Sequence, residues 1–276
     1  MFNNLKSLIE YRELIAQMVL RDLKVKYKGS ALGFLWSLLH PAFMLGLYYV
    51  IFTLIAPDFR RDIPSYGIFL IAGMWPWMSF SSSLGKSCPL FILNADLIKK
   101  AYFPREILPL ATTLSEFINL LIGLVLVFIL MAILGYQPSV SILLIIPAII
   151  VQLILTFAFT LMVSLLDVFY RDTEQILNWL LTVWFFGSPV IYSLARIMNA
   201  LGKHPFFQNL YFVNPFAWLI PAYRYGFLGS SETDTSIING GTLAIAVLLL
   251  IPICLVILLI CYAIFKKYEY MMVEEI

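Results

Sequence analysis

NADLIKKAYFPREILPL, residues 94–110, is a charged segment between two long apolar runs, and the rest of the chain is organised around it. Asn94 is a favourable N-cap residue for a short helix. One face of that helix would carry four side chains with apolar surface: Leu97, Ile98, Ala101 and Tyr102. Pro104 predicts the end of the helix, because the residue before a proline is disfavoured in the α region, and proline is tolerated in the first turn of the next helix. The segment therefore predicts a short amphipathic helix, a corner and the start of a membrane span.

The charges of this segment leave two interpretations open. Lys99 and Lys100 lie off the apolar face of the predicted helix. The first interpretation is a solvated loop between two spans. The second is a docking element for a soluble partner, held at the membrane surface by the spans on either side.

The composition is that of a membrane protein. Of 276 residues, 62% are hydrophobic and 12% are charged, whereas a soluble domain is about half apolar and a quarter charged. The net charge of +2 does not suggest a nucleic-acid partner. The three cysteines have no metal-ligand spacing, so we expect no metal site.

Apolar runs predict an all-α fold with six transmembrane helices, since a span needs about 20 residues. The runs cover residues 32–56, 66–84, 107–134, 142–166, 176–194 and 243–265. Between the last two, residues 194–240 are apolar and aromatic but are broken by prolines. This pattern favours half-length or re-entrant helices, which are tolerated at membrane depth only where protein or a cavity covers them.

The N-terminal segment, residues 4–21, has a helical period with a polar stripe opposite an apolar side. It predicts an amphipathic helix in the membrane interface; the alternative is a surface helix packed on another protein element. A basic cluster follows before the first apolar run: Arg21, Lys24, Lys26 and Lys28.

Basic residues predict the orientation. Six spans place both termini on one side, and with that side cytoplasmic, 13 of the 18 basic residues lie inside. The five outside are Arg60, Arg61, Arg196, Lys203 and Arg224. We therefore expect the termini and both charged segments, residues 94–110 and 167–175, to face the cytoplasm.

The chain lacks the phosphate-binding GxxxxGK[ST] motif and the common hydrolase motifs, so we expect no ATP or other cofactor to be held by this chain. Glu116 is the one acidic residue well inside an apolar run. Two functions are equally compatible with it: pairing with a basic group near a helix end, or lining a pore.

At four places the sequence resembles the permease subunits of ABC-2 type transporters that export polysaccharides. The places are RDLKVKYKGSALGFLW (21–36), NADLIKKAYFPREILPL (94–110), DVFYRDTEQILNWLLTVWFFGSPVIY (167–192) and VNPFAWLIPAYRYGF (213–227). The resemblance implies one transmembrane domain over residues 1–276, with an interface helix and basic segment (1–30), a cytoplasmic coupling helix (94–105) and outer gate helices (195–230). It also implies a homodimer in a bacterial plasma (inner) membrane, bound to two copies of an ABC ATPase that holds the ATP and Mg.

The resemblance also implies functions for individual residues. Those in or beside the coupling helix are Leu97, Lys99, Lys100, Tyr102, Arg105 and Glu106. Those expected to attract the pyrophosphate of a lipid-linked polysaccharide are Arg21, Lys24, Lys26 and Lys28. Candidate channel liners are Tyr48, Trp75, Trp77, Phe80 and Glu116, and outer-gate residues are Asn214, Pro215 and Arg224.

The function implied by the resemblance is ATP-driven export of a lipid-linked polysaccharide, with O-antigen as the first expectation. Teichoic acid or capsule export by the same mechanism and a small-molecule or drug exporter remain as alternatives. A stand-alone ion-coupled carrier that uses Glu116 is a further class; a membrane enzyme is disfavoured by the missing catalytic motifs.

Overall fold

The computed structural model describes residues 10–25, 39, 43, 46–47, 50–55, 63, 66–101, 103–137, 139–202, 204–229 and 238–275, and its regular elements in these ranges are helical. The helices are α1 (Arg12–Val25), α2 (Tyr66–Ser87), α3 (Leu90–Leu93), α4 (Ala95–Lys100), α5 (Ile107–Ile133), α6 (Ile145–Phe169), α7 (Thr173–Phe186), α8 (Leu194–Leu201), α9 (Pro205–Tyr211), α10 (Phe216–Leu228) and α11 (Gly240–Glu275). A π-helical turn spans Ile51–Ile55, and a 3-10 turn, Val140–Leu144, leads into α6.

Three helical stretches in the described part of the chain are long and apolar enough to cross a membrane: Ile107–Ile133, Val140–Phe169 and Gly240–Met272. They correspond to the third, fourth and sixth predicted runs, and they confirm an all-α integral membrane protein. Helix α2, with 22 residues, covers the second run. Most of the first run, residues 32–56, lies outside the described residues.

Helix α7 is shorter than the fifth apolar run predicts. It ends at Phe186 after 14 residues, about 21 Å at 1.5 Å per residue, which is less than the roughly 30 Å hydrocarbon core. The chain then turns tightly, with the Val190 amide donating to the Ser188 carbonyl at 2.7 Å. Pro189 lacks an N–H and so cannot continue the helical ladder. The prediction of a helix through residue 194 was therefore wrong at its C-terminal end.

The segment from 194 to 229 contains the short helices α8, α9 and α10 in place of one long helix. Helix α10 is buried along most of its length and packs against α2, α11 and the 3-10 turn. It ends at Gly229, whose φ of 70° lies in the left-handed region that glycine adopts without strain. The gate function of these helices remains a prediction.

The apolar core is divided into two clusters. The larger one joins α2, the C-terminal part of α5, α6, α10 and the first half of α11. The smaller one joins α1, α3, α4, the start of α5, the end of α6 and the end of α11. Because the charged segments 94–110 and 167–175 both lie beside the smaller cluster, we call this side of the molecule the charged end.

Helix α1 packs on α5 through Met18 and Val19, which are 4% and 7% exposed. Glu13, Gln17 and Arg21 are exposed, as the predicted polar stripe requires, but Leu20 is also 53% exposed. Leu20 lies two residues from Met18, which is about 200° around a helix, so the two cannot share a face. The buried face of α1 therefore packs on α5, and a place of this helix in the membrane interface remains a prediction.

Candidate functional site

Helix α4 buries one face and exposes its lysines at the charged end. Ile98 is 5% exposed within the smaller apolar cluster, Leu97 is half-buried, and Lys99 and Lys100 are exposed. Ala101 is exposed, in contrast to the prediction, because the helix ends at Lys100 and Ala101 is already extended (φ −127°, ψ 135°). Tyr102 lies outside the described residues. The helix is therefore anchored by its apolar face in the smaller cluster, and its two lysines are exposed on the opposite side.

Asn94 precedes α4 but does not cap it through its side chain. Its Nδ2 donates to the Leu90 carbonyl at 2.8 Å, and its Oδ1 accepts from Arg21 Nη1 at 3.2 Å. The predicted cap was wrong in this respect, because the side chain turns back to α3 and α1. Its bonds instead connect the N-terminus of α4 with the basic end of α1.

The corner after α4 leads directly into α5. Pro104 lies three residues before the first residue of α5, Ile107, whose amide donates to the Pro104 carbonyl at 3.1 Å. Pro104 therefore forms part of the corner and not, as predicted, of the first turn of the next helix. Arg105 and Glu106 occupy the last two positions of this corner.

Arg105 and Glu106 belong to a charged cluster with the end of α11, which we define as Arg105, Glu106, Tyr262, Lys266 and Glu269. Glu106 is fully buried and accepts hydrogen bonds from Lys266 Nζ at 2.7 Å and from the Tyr262 hydroxyl at 3.1 Å. Lys266 also donates to Glu269 at 2.9 Å, and Glu269 is 3.5 Å from Arg105 Nη1. Two cations and two carboxylates thus balance in a mostly buried site.

The charged cluster changes the expectation for two coupling residues. Lys99 and Lys100 are exposed, but Glu106 is enclosed and Arg105 has a side chain only 17% exposed. The two corner residues therefore contact α11 of their own chain, whereas the lysines face outward. Sequence reasoning missed Tyr262, Lys266 and Glu269, although their spacing of four and three residues places them on one helix face.

The second charged segment meets the first at the same end of the molecule. The Cys88 thiol, in the turn after α2, donates to Asp167 Oδ1 at 3.2 Å, and both side chains are buried. Burial raises the pKa of the Cys88 thiol, and the neighbouring Asp167 raises it further. Arg171, Asp172 and Glu174 are exposed beyond this contact.

The basic residues at the end of α1 are exposed where the structure describes them. Arg21 contacts Asp22 Oδ1 at 3.1 Å as well as Asn94, and Lys24 is exposed. Lys26 and Lys28 lie outside the described residues, as does the side chain of the predicted channel liner Tyr48.

The other aromatic channel candidates lie inside the chain. Trp77 and Phe80 are 4% and 0% exposed and pack on Trp184 and Phe216 at centroid distances of 4.8–6.0 Å. The contacts are edge to face except that between Phe80 and Phe216, which is tilted. The side chains of Trp77 and Phe80 are enclosed among the described helices, and their function as channel liners remains a prediction. Trp75 is half-buried; its indole N–H donates to the Asn119 carbonyl at 3.3 Å.

Glu116 is 3% exposed and forms an ion pair with Lys86 at the end of α2. Of the two interpretations of Glu116, pairing with a basic group is therefore the one that the structure shows. The side chain of Lys86 is 41% exposed, so the pair reaches the surface through the lysine.

Asn214 connects the end of α7 with the start of α10. Its Oδ1 accepts from Trp184 Nε1 at 2.9 Å and from the Phe216 amide at 3.0 Å. Its Nδ2 donates to Ser188 Oγ at 2.8 Å and to the Gly187 carbonyl at 3.3 Å. Pro215 follows at the first position before α10. Since one amide side chain makes four hydrogen bonds, it fixes the turn after α7 relative to α10.

Arg224 holds the other side of the same turn. Its side chain is fully buried and donates to the carbonyls of Val190 at 2.7 Å, Tyr192 at 3.2 Å and Phe69 at 3.2 Å. Two carbonyls of the segment that follows α7 are thus bound by a residue of α10. The contacts of Asn214 and Arg224 anchor α2, α7 and α10 to one another, and the outer-gate function predicted for Asn214, Pro215 and Arg224 remains a prediction.

The long apolar helices and the charged end define a multi-pass membrane protein whose charged segments lie together at one end of its spans. A match to the ABC-2 type transporter family covers residues 13–228. The chain belongs to this family.

Curated relatives give the same result. The chain is 32% identical over 224 residues to the O-antigen export system permease protein RfbA of Myxococcus xanthus, which covers 81% of this chain and 84% of the relative. It is 34% and 35% identical to two Klebsiella pneumoniae proteins of the same name, over 79% and 78% of this chain and 82% and 80% of theirs.

Proposed function

We propose that this chain is the transmembrane permease subunit of an ATP-driven ABC exporter that moves a lipid-linked polysaccharide across the bacterial inner membrane. O-antigen is the first candidate for this polysaccharide. The observation that carries the proposal is the similarity over about four-fifths of the chain to permeases named for O-antigen export. The transporter family supports a membrane subunit whose energy comes from a separate ABC ATPase.

The partner ATPase binds at the charged end. Lys99 and Lys100 are exposed on a helix whose other face is buried, so a force applied to them is passed to the apolar cluster beneath. The functional unit is a homodimer of this chain, one transmembrane domain each, with two ATPase copies that hold ATP and Mg. Six spans per chain place both termini and the charged end in the cytoplasm, in agreement with the distribution of basic residues.

The substrate reaches the permease from the inner leaflet. Arg21 and Lys24 are exposed beside the charged end, where positive charge attracts a pyrophosphate head group. The polymer then passes between the two copies, and α8, α9 and α10 form the outer gate, anchored by Asn214 and Arg224. Exposed aromatic rings lie on α7, where Trp179 and Phe186 are 74% and 57% exposed. Unlike the enclosed Trp77 and Phe80, these rings are available for stacking on sugars.

The test is purification of the tagged chain with the proteins that accompany it in mild detergent. The expected result is a stoichiometric ABC ATPase that is lost when Lys99 and Lys100 are both replaced by Glu. The matched control is Lys267→Glu, which reverses an exposed charge at the same end of the molecule and should leave the ATPase bound. A chain that purifies alone and transports in liposomes without an ATPase would contradict the proposal.

The substrate class requires a second assay. Cells that lack the chain should accumulate lipid-linked polysaccharide on the cytoplasmic side and lose it from the surface. Accumulation of a teichoic acid or capsule precursor would support the same mechanism with a different polymer. Efflux of small molecules without any glycan defect would support a drug exporter instead.

A further inference from the structure

The charged cluster links the corner after α4 to a helix that is remote in sequence. Glu106 and Lys266 are 160 positions apart, yet their side chains form an ion pair of 2.7 Å. The Glu106 carboxylate is 1% exposed, and the Lys266 ammonium is shared between this carboxylate and that of Glu269. The contact is thus enclosed and directional.

The direction of the Glu106 side chain is informative. Glu106 occupies the N-cap position of α5, where a side-chain oxygen could accept from the first amides of the helix. It makes no such bond and instead points to Tyr262 and Lys266 of α11. The side chain of the residue just before α5 therefore bonds to α11 and not to its own helix.

A second contact joins the same elements. The Phe91 ring of α3 stacks on the Phe265 ring of α11 at 5.9 Å between centroids and 30° between planes. Phe265 directly precedes Lys266, and both rings belong to the apolar cluster that contains Ile98 of α4. Apolar contacts of the smaller cluster and the charged cluster at the corner therefore hold α3, α4 and the corner to one region of α11.

We propose that Tyr262, Lys266 and Glu269 are positioning residues that transmit the movement of α4 to the last membrane span, α11. This inference rests on the proposed function, because it requires a partner ATPase that moves α4. When the ATPase displaces α4, the corner follows, and the ion pair at Glu106 makes the end of α11 follow the corner. The last span thereby moves together with the start of α5.

A buried ion pair is by itself weak evidence of a stabilising function. Replacing a buried ion pair by well-packed apolar residues of similar volume is often neutral or stabilising. A directional charge contact, in contrast, keeps two elements in one register while both move. Stability and coupling can therefore be separated by experiment.

The test uses the complex of this chain with the ABC ATPase that accompanies it, reconstituted in liposomes with lipid-linked polysaccharide. The variant combines Glu106→Met with Lys266→Met, which removes both charges and keeps the apolar volume. We expect ATPase binding and folding as in the wild type, and about 3- to 30-fold less polymer exported per ATP hydrolysed. Lys266→Arg, which keeps the cation between both carboxylates, should retain most of the coupling.

The matched control is Lys267→Met, one residue away on the exposed side of α11; it should export as the wild type does. Should the double variant fail to fold, Tyr262→Phe replaces it, because it removes a single hydroxyl donor to Glu106; it should lower the ratio in the same direction. Wild-type coupling in the folded variant, or equal losses in Lys266→Arg and the double variant, would overturn the inference. Failure of the proposed function is distinguished by the wild-type complex, which would then contain no ATPase or export no glycan.

Discussion

The guanidinium carbon of Arg224 lies 3.3 Å from the centre of the Phe69 ring, although the two residues are 155 positions apart. The ring covers one face of the guanidinium, and the backbone carbonyls of Phe69, Val190 and Tyr192 accept its N–H groups. A buried cation is thus satisfied by a cation–π contact together with peptide dipoles. It joins the start of α2, the turn after α7 and the middle of α10.

Arg224→Lys should destabilise the protein although it keeps the charge. An ammonium lacks the planar fork of five donors, so it cannot serve three carbonyls in these positions, and a buried carbonyl left without a donor costs about 1–3 kcal/mol. The measurement is the thermal unfolding midpoint in detergent. Arg171→Lys, at an exposed position, is the control and should not change the midpoint. An unchanged midpoint for Arg224→Lys would show that the three carbonyls do not need this donor geometry.

Asn214→Ala should loosen the turn between α7 and α10. The substitution leaves the Trp184 indole N–H and the Gly187 carbonyl without their present partner. We expect a loss of about 1–3 kcal/mol and a change in tryptophan emission, because Trp184 loses the hydrogen bond of its indole. Asn199→Ala, on the exposed side of α8, should alter neither. Equal emission spectra for the wild type and Asn214→Ala would contradict the assigned contact.

Gly123→Ala should displace the Trp75 indole. A Cβ at position 123 would lie 1.7 Å from Trp75 Nε1, an impossible contact, so the ring must move and give up its bond to the Asn119 carbonyl. Overpacking of this kind costs about 1–3 kcal/mol. Gly85→Ala meets no atom within 4 Å in α2, and it should be neutral or stabilising by about 0.5–1 kcal/mol. Adding Trp75→Leu to Gly123→Ala should recover part of the lost stability; no recovery would argue against the clash.

Cys88 should make stability fall at alkaline pH. Burial and the neighbouring Asp167 raise the pKa of the Cys88 thiol, so the folded protein keeps a proton that the unfolded chain loses above about pH 8.5. The stabilisation is complete below this pH and is lost as the pH rises. The measurement is the unfolding midpoint of the wild type and of Cys88→Ser between pH 7 and pH 10. The wild type should lose more, because serine does not titrate; parallel curves would contradict the prediction.

The sequence predicts helices best where one apolar run is bounded by turn residues. The run at 107–134 corresponds to α5 within one residue, and its end is marked by Gly135, whose φ is 79°. The charged segment 94–110 likewise predicts α4 and the corner. In both cases local chemistry determines the structure, since caps, prolines and glycines act over a few residues.

Contacts remote in sequence account for the errors. Helix α7 ends before the turn that contains Pro189, and Arg224 of α10 binds the carbonyls of Val190 and Tyr192 in the segment that follows. Residues 176–194 alone do not indicate that this donor is present. Trp77 and Phe80 lie on a helix that is apolar on several sides, so its periodicity could not distinguish a packed face from a channel face. Glu106 is expected in or beside the coupling helix, and only the fold brings Lys266 to it.

In the proposed movement, helix α11 acts as a lever about Pro252. Its 36 residues extend about 54 Å, well beyond the roughly 30 Å of hydrocarbon, so a considerable part must project from the bilayer. Pro252 interrupts the ladder of backbone hydrogen bonds and provides a fulcrum. Lys266, which bonds to Glu106, lies 14 residues and about 21 Å beyond Pro252. A shift of one or two ångströms at Lys266 therefore corresponds to a rotation of only a few degrees about Pro252.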